Sequence, residues 1–159
     1  MGSVRPTDAK AAIPARDDEE PPPFRSALMA KVRSKNTTPE LTVRRAAHRL
    51  GYRFRLHRKD LPGTPDVVFP RLGVALFVHG CFWHRHAGCK RCTTPKTRAN
   101  FWSAKFEANV RRDKLKAASL KEMGWRVLTI WECETQDADM LEAILRDLAA
   151  THPPGAKTP

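Results

Sequence analysis

Residues 66–79 read DVVFPRLGVALFVH, and this stretch decides the fold. Residues 66–69 and 74–78 are two short apolar runs rich in valine. Pro70-Arg71-Leu72-Gly73 lies between them, and proline with glycine at that spacing makes a turn. The stretch therefore predicts two sequential strands. Upstream, Tyr52, Phe54 and Leu56 alternate with Arg53, Arg55 and His57, the period-two pattern of a half-buried strand with a basic outer face. Before that strand, Thr37-Thr38-Pro39-Glu40 starts a helix. Thr37 and Glu40 have capping-box spacing, and Pro39 suits the first turn. Leu41, Val43, Ala47 and Leu50 follow, and Gly51 is the stop. Downstream, residues 79–97 are irregular and rich in Cys, His and Pro. A long helix is expected from near Arg98 to Gly124. Trp102, Phe106 and Val110 share one face, while Lys105, Arg111, Arg112, Lys114 and Lys116 populate others. Residues 125–131, WRVLTIW, predict a buried strand. Residues 138–150, with Met140, Leu141, Ile144, Leu145 and Leu148, predict an amphipathic closing helix. The order α, β, β, β, α, β, α is that of an α/β domain with a mixed sheet between helices.

A length of 159 residues suits one domain, and 41% hydrophobic with 29% charged residues is globular composition. No window approaches 18 uninterrupted apolar residues, which excludes a transmembrane helix. The N-terminus has no apolar core of the kind a secretory signal needs. Residues 1–23 hold five prolines and the acidic run Asp17, Asp18, Glu19, Glu20, and read as a disordered leader. Residues 151–159, with Pro153, Pro154, Gly155 and Pro159, read as a flexible tail. The folded domain is then expected over 24–150.

The formal net charge is +12, with 29 Lys and Arg against 17 Asp and Glu. It is unevenly spread: −2 over residues 1–23, +18 over 24–126 and −4 over 127–159. A solubility surface or a membrane-surface patch would account for some of this. A polyanion accounts for it more simply, because neutralising phosphates releases counterions and supplies most non-specific nucleic-acid affinity.

Residues 79–92 read HGCFWHRHAGCKRC. Six residues with metal-ligand chemistry fall within this segment: His79, Cys81, His84, His86, Cys89 and Cys92. Cys133 lies just past the 125–131 strand, where a neighbouring strand end could bring it close. Zinc takes four Cys or His ligands in a tetrahedron. Cys81, His86, Cys89 and Cys133 would make such a site, with Cys92 the alternative for Cys89 or Cys133. Structural zinc has a clear purpose here, since the loop lacks the apolar side chains to hold itself in place. Free thiols and surface histidines are the competing reading. Pro65-Asp66 puts a carboxylate at the start of a strand, where it can hold Mg²⁺ or simply close a turn. The other acids of the +18 region are Glu40, Asp60, Glu107, Asp113 and Glu122. An acid in a phosphate-binding surface repels phosphate unless a cation intervenes. Phe82 and Trp83 sit inside the loop, either capping it or wedging between bases, and Trp102 is either core or a third member of that wedge. His79 and His84, left over from zinc, can move protons near pH 7.

TPDVVF, FVHGCFWHRH-GC, TPKTRANFW, NVRRD and GWRVLTIWEC occur in order. Together with RSKNTTPE they resemble the very-short-patch repair DNA mismatch endonucleases of bacteria, over about Ser26 to Glu134. The resemblance implies a restriction-endonuclease-like fold, a mixed sheet flanked by helices. It implies a nick on the 5′ side of the thymine in a T·G mismatch, the product of 5-methylcytosine deamination. Asp66 would bind catalytic Mg²⁺ by its side chain and Val78 by its backbone carbonyl, a role indifferent to the family's frequent Thr there. His84 would be the general base, and His79 would contact the scissile phosphate or assist the leaving group. Phe82, Trp83 and Trp102 would form the inserted wedge. Cys81, His86, Cys89 and Cys133 would hold structural zinc. Glu40, Asn109 and Asp113 match supporting active-site and DNA-contact positions. The second acid and the lysine that most restriction-like nucleases carry after the first Asp are missing. Phe77 and His79 stand at that strand end, which favours a histidine-assisted mechanism.

The expected protein is thus a cytoplasmic, nucleoid-associated bacterial monomer acting on double-stranded DNA, with a MutL-type repair protein as a further partner. The alternatives are a restriction-type endonuclease or less selective nickase of the same fold, and a non-catalytic zinc-stapled DNA-binding module.

Overall fold

A computed structural model describes residues 35–150. The leader expected over 1–23, the first residues of the expected domain and the tail over 151–159 lie outside the described residues. Seven main elements follow in the expected order: α1 (Thr38–Arg49), β1 (Arg55–Leu56), β2 (Val67–Phe69), β3 (Val74–His79), α2 (Ala99–Glu122), β4 (Arg126–Trp131) and α3 (Ala138–Ala150). The four strands form one sheet in the order β1-β2-β3-β4. The first two pairings are antiparallel, and β3 pairs with β4 in parallel, so the sheet is mixed. A short 3-10 turn over Pro70–Leu72 joins β2 to β3 and closes on Gly73, whose φ of 60° is left-handed. A glycine tolerates that conformation at no steric cost.

The apolar runs of β2 and β3 are continuous because both faces of the sheet are covered. Val67, Phe69, Val74 and Leu76 face Val43, Ala46 and Ala47 of α1 and Leu141, Leu145 and Leu148 of α3. Val68, Ala75 and Phe77 face the other way, against Leu61, Leu120 and Trp125. Two expectations need correction. The strand read over 52–56 pairs only at Arg55–Leu56, and both residues are exposed. Tyr52 and Phe54 do turn inward, each edge-on to Phe69, but as a packed approach to the strand. His57 has a φ of 45°, which breaks the alternation and takes it off the outer face. The 125–131 segment is only half-buried apart from Trp125 and Ile130, because β4 is an edge strand.

The start of α1 is built as read. Thr37 and Glu40 form a reciprocal capping box. Glu40 is only 3% exposed, yet its carboxylate is fully used. Oε1 accepts from the Thr37 hydroxyl at 2.9 Å, and Oε2 accepts from the Asn36 N–H at 2.9 Å and from Arg44 at 2.8 Å. Removing one partner of such a buried pair strands the other charge. Glu40→Ala should therefore cost about 3–5 kcal/mol in urea denaturation, with Glu40→Gln costing much less.

Candidate active site and metal centre

The parallel register sets His79 opposite Trp131. The pairing continues past the strands, with the Glu132 N–H donating to the His79 carbonyl at 2.9 Å. Residues 79–92 leave β3 at this point and fold back through turns. The cleft beside them holds about 660 Å³ and is lined by Glu40, His57, Asp66, His79, His84 and Asp113, among others.

Asp66 immediately precedes β2, and its Oδ2 accepts from the Val78 N–H at 2.8 Å. The other oxygen has no hydrogen-bond partner among the described residues. Burial, reinforced by the neighbouring charge of Glu40, pushes the Asp66 carboxyl above the usual carboxylate range. Glu40, His57 and Asp66 have ligand atoms within 4.8 Å of one another. Arg44 already serves two of them, donating to Glu40 Oε2 at 2.8 Å and to His57 Nε2 at 3.0 Å. An arginine can only donate, so His57 Nε2 is the accepting atom of that contact. Of the trio, Asp66 is the carboxylate still open to a divalent cation.

His79 and His84 stack face to face, with ring centroids 3.9 Å apart and planes 10° from parallel. His84 Nδ1 lies 2.5 Å from Asp113 Oδ2. A carboxylate bound to Nδ1 fixes the tautomer and leaves Nε2 as a proton acceptor. Burial, then the adjoining His84 charge, lowers His79 to about 4, so its ring is neutral near pH 7. Asn109 stands one turn before Asp113 on α2 and donates to the Trp83 carbonyl at 3.2 Å. Two residues of one helix face thus hold residues 83 and 84 in place.

Cys81, His86, Cys89 and Cys133 present three sulfurs and one ring nitrogen within 4.8 Å of one another. His86 Nδ1 lies 3.7 Å from Cys81 Sγ and 3.3 Å from Cys133 Sγ. The S···N edge of a zinc tetrahedron is about 3.5 Å, so the donor set fits that ion. Cys92 lies outside the cluster. Burial pushes the Cys81 thiol up to about 12 and raises Cys133, while the Arg91 backbone N–H lowers Cys89. The His86 ring lies flat on Trp131 at 4.2 Å.

Phe82, Trp83 and Trp102 do come together. Phe82 meets Trp83 at 5.1 Å and Trp102 at 5.7 Å, and rests on the buried Phe106 at 5.2 Å. Phe101, 44% exposed, packs edge-on against Trp102. The Lys105 ammonium sits 5.4–5.7 Å from Trp83, Phe101 and Trp102. Reading the sequence did not single out Phe101, Arg44 or His57. Phe101 adjoins Trp102, so its neighbour was the available signal. The strand alternation sets His57 on an outer face that its backbone conformation breaks, and Arg44 falls unmarked among the many bases of the +18 region.

A family model for the DNA mismatch endonuclease Vsr matches residues 17–91. The chain is 56% identical over 131 residues to the Type II nicking enzyme V.XorIIP of Xanthomonas oryzae pv. oryzae, covering 82% of this chain and 96% of that protein. It is 38% identical over 117 residues, 74% of each chain, to the DNA mismatch endonuclease Vsr of Escherichia coli K12. With the Type II nicking enzyme V.NaeI of Lentzea aerocolonigenes, it shares 42% over 120 residues, 72% of this chain and 71% of that one.

A carboxyl whose folded-state pKa is raised binds its proton more tightly in the native state, so it lowers stability once ionised. That loss begins above the ordinary value of 3.8 and is complete above the raised one. Without divalent metal at pH 7, Asp66→Asn should therefore melt above wild type, by roughly 2–4 °C for each kcal/mol recovered. The gap should close as pH falls towards 4 in a calorimetric series, and Mg²⁺ should raise the wild-type melting temperature alone.

Proposed function

The chain belongs to the Vsr family of DNA mismatch endonucleases, and from that premise we propose that it nicks duplex DNA 5′ of the thymine in T·G mismatches. The observation that carries this reading is the convergence of three features in and beside one cleft, which Trp83 joins to the aromatic cluster. They are a buried carboxylate with an open oxygen, a histidine pair oriented by Asp113, and a half-exposed aromatic cluster on the adjoining loop and helix. In the step proposed, His84 Nε2 takes a proton from the attacking water while Asp113 holds the resulting imidazolium. The water oxygen bonds to phosphorus, the bond to the leaving sugar oxygen breaks, and that oxygen is protonated by solvent. His79 stands against the scissile phosphate. Mg²⁺ bound by the Asp66 side chain and the Val78 carbonyl would neutralise charge on the phosphate. Phe82, Trp83 and Trp102 enter the stack at the mismatch, where parting the bases costs less than in paired DNA. Cys81, His86, Cys89 and Cys133 hold a structural Zn²⁺ that fixes the loop carrying His84 and the wedge. The protein works as a monomer on the bacterial chromosome, with a MutL-type protein a partner in repair. No helix among the described residues is long and apolar enough to cross a membrane.

With Mg²⁺, wild type should nick a T·G duplex on the thymine strand, and Asp66→Ala should lose that activity by at least ~100-fold. Equal cutting of fully paired DNA would mean a less selective nickase. Binding without cleavage under any divalent ion would mean a DNA-binding module. Purified protein should contain one zinc per chain by metal analysis, retained in Cys92→Ser and lost in Cys133→Ser. Because Cys81 and Cys133 must shed protons to ligate, zinc affinity should fall as pH drops.

A further inference from the structure

Lys116 is a fixed charge in the cleft that none of the roles above uses. It lies on α2 three residues after Asp113, and it lines the same cleft as Asp66, His79 and His84. Among the described residues the cleft's other lysine or arginine is Lys35, which is exposed at their edge. Lys116 is half-buried, yet its ammonium makes no hydrogen bond or ion pair among the described residues. The aliphatic stem lies across Gly63, where a Cβ would meet Lys116 Cδ at 2.7 Å and Cγ at 2.8 Å. Gly63 is left-handed, with φ +76°, in the turn three residues before Asp66. The backbone that delivers Asp66 therefore also leaves the channel along which Lys116 lies. A half-buried lysine without a bonded counter-ion among the described residues, beside a carboxylate and two imidazoles, is the feature of a site whose anion arrives with the substrate.

We propose that Lys116 is a catalytic residue: its ammonium binds a non-bridging oxygen of the scissile phosphate as negative charge builds there during attack. This rests on the nicking reaction proposed above. A contact that strengthens in the transition state raises the rate more than it tightens DNA binding. A lysine spent on the duplex backbone would do the reverse.

The test measures single-turnover nicking of a T·G duplex at saturating protein, alongside the dissociation constant and its salt dependence. Lys116→Met should slow cleavage roughly 100-fold while leaving the dissociation constant within about threefold. Its slope against salt should match wild type, since a lost backbone contact would lower that slope by about one. Lys116→Arg should restore most of the rate. Gly63→Asn accepts the left-handed backbone but puts a side chain where the stem runs. It should slow the wild type and have no further effect in Lys116→Met, a coupling that a general loss of folding would not give. A Lys116→Met enzyme that nicks at the wild-type rate, or one whose loss lies entirely in binding, overturns the inference and leaves the nicking reaction standing. A wild type that cuts no duplex overturns both.

Discussion

Because β3 and β4 run parallel, the chain must travel from the end of one back to the start of the other, and α2 makes that journey. At 1.5 Å per residue its 24 residues span about 36 Å, nearly twice the length of a six-residue strand. Its C-terminal end packs Leu120 on the sheet. Its first fifteen residues run beside the 79–92 loop, bringing Trp102 and Phe106 to Phe82, Asn109 to Trp83 and Asp113 to His84. The same pairing carries β4 out beside the loop, so that Cys133 joins Cys81, His86 and Cys89. The histidine pair, the thiol cluster and the aromatic cluster are thus consequences of one strand pairing.

The acids of the basic region divide by how they are neutralised. Glu40 is paired with Arg44, and Asp60 with Arg58. Asp113 lies against His84, and Glu107 accepts from Ser103. Asp66 has a backbone N–H and no bonded cation among the described residues, and burial pushes its carboxyl upward. A carboxylate facing phosphate must be screened, and of the acids lining the cleft Asp66 is the one without a bonded arginine or histidine among the described residues.

Local signals proved the readable ones. The capping box, the proline-glycine turn and the apolar runs are each set by neighbours in sequence, and each element formed within a few residues of its expected limits. The thiol and histidine cluster was readable because three of its four members lie within nine residues, so that only Cys133 had to be supplied by the sheet. What could not be read depends on single backbone angles or on contacts across the fold. His57 enters the cleft through one left-handed residue conformation. Arg44 is buried because Glu40 and His57 converge on it from different elements. Lys116 resembles every other lysine of α2 until Gly63, 53 positions earlier, is seen to make room for it. The half-exposure of β4 follows from its place at the sheet edge, which an apolar sequence does not reveal.

The four tryptophans are divided among different parts of the molecule. Trp125 is buried beneath the sheet and reports on the core. Trp131 is stacked on His86 and edge-on to His79, so its indole joins the thiol cluster to the histidine pair. Trp83 and Trp102 lie in the half-exposed aromatic cluster beside Lys105. The protein therefore carries its own set of fluorophores, whose emission separates unfolding, events at the cysteine cluster and events at the outer surface without an added label.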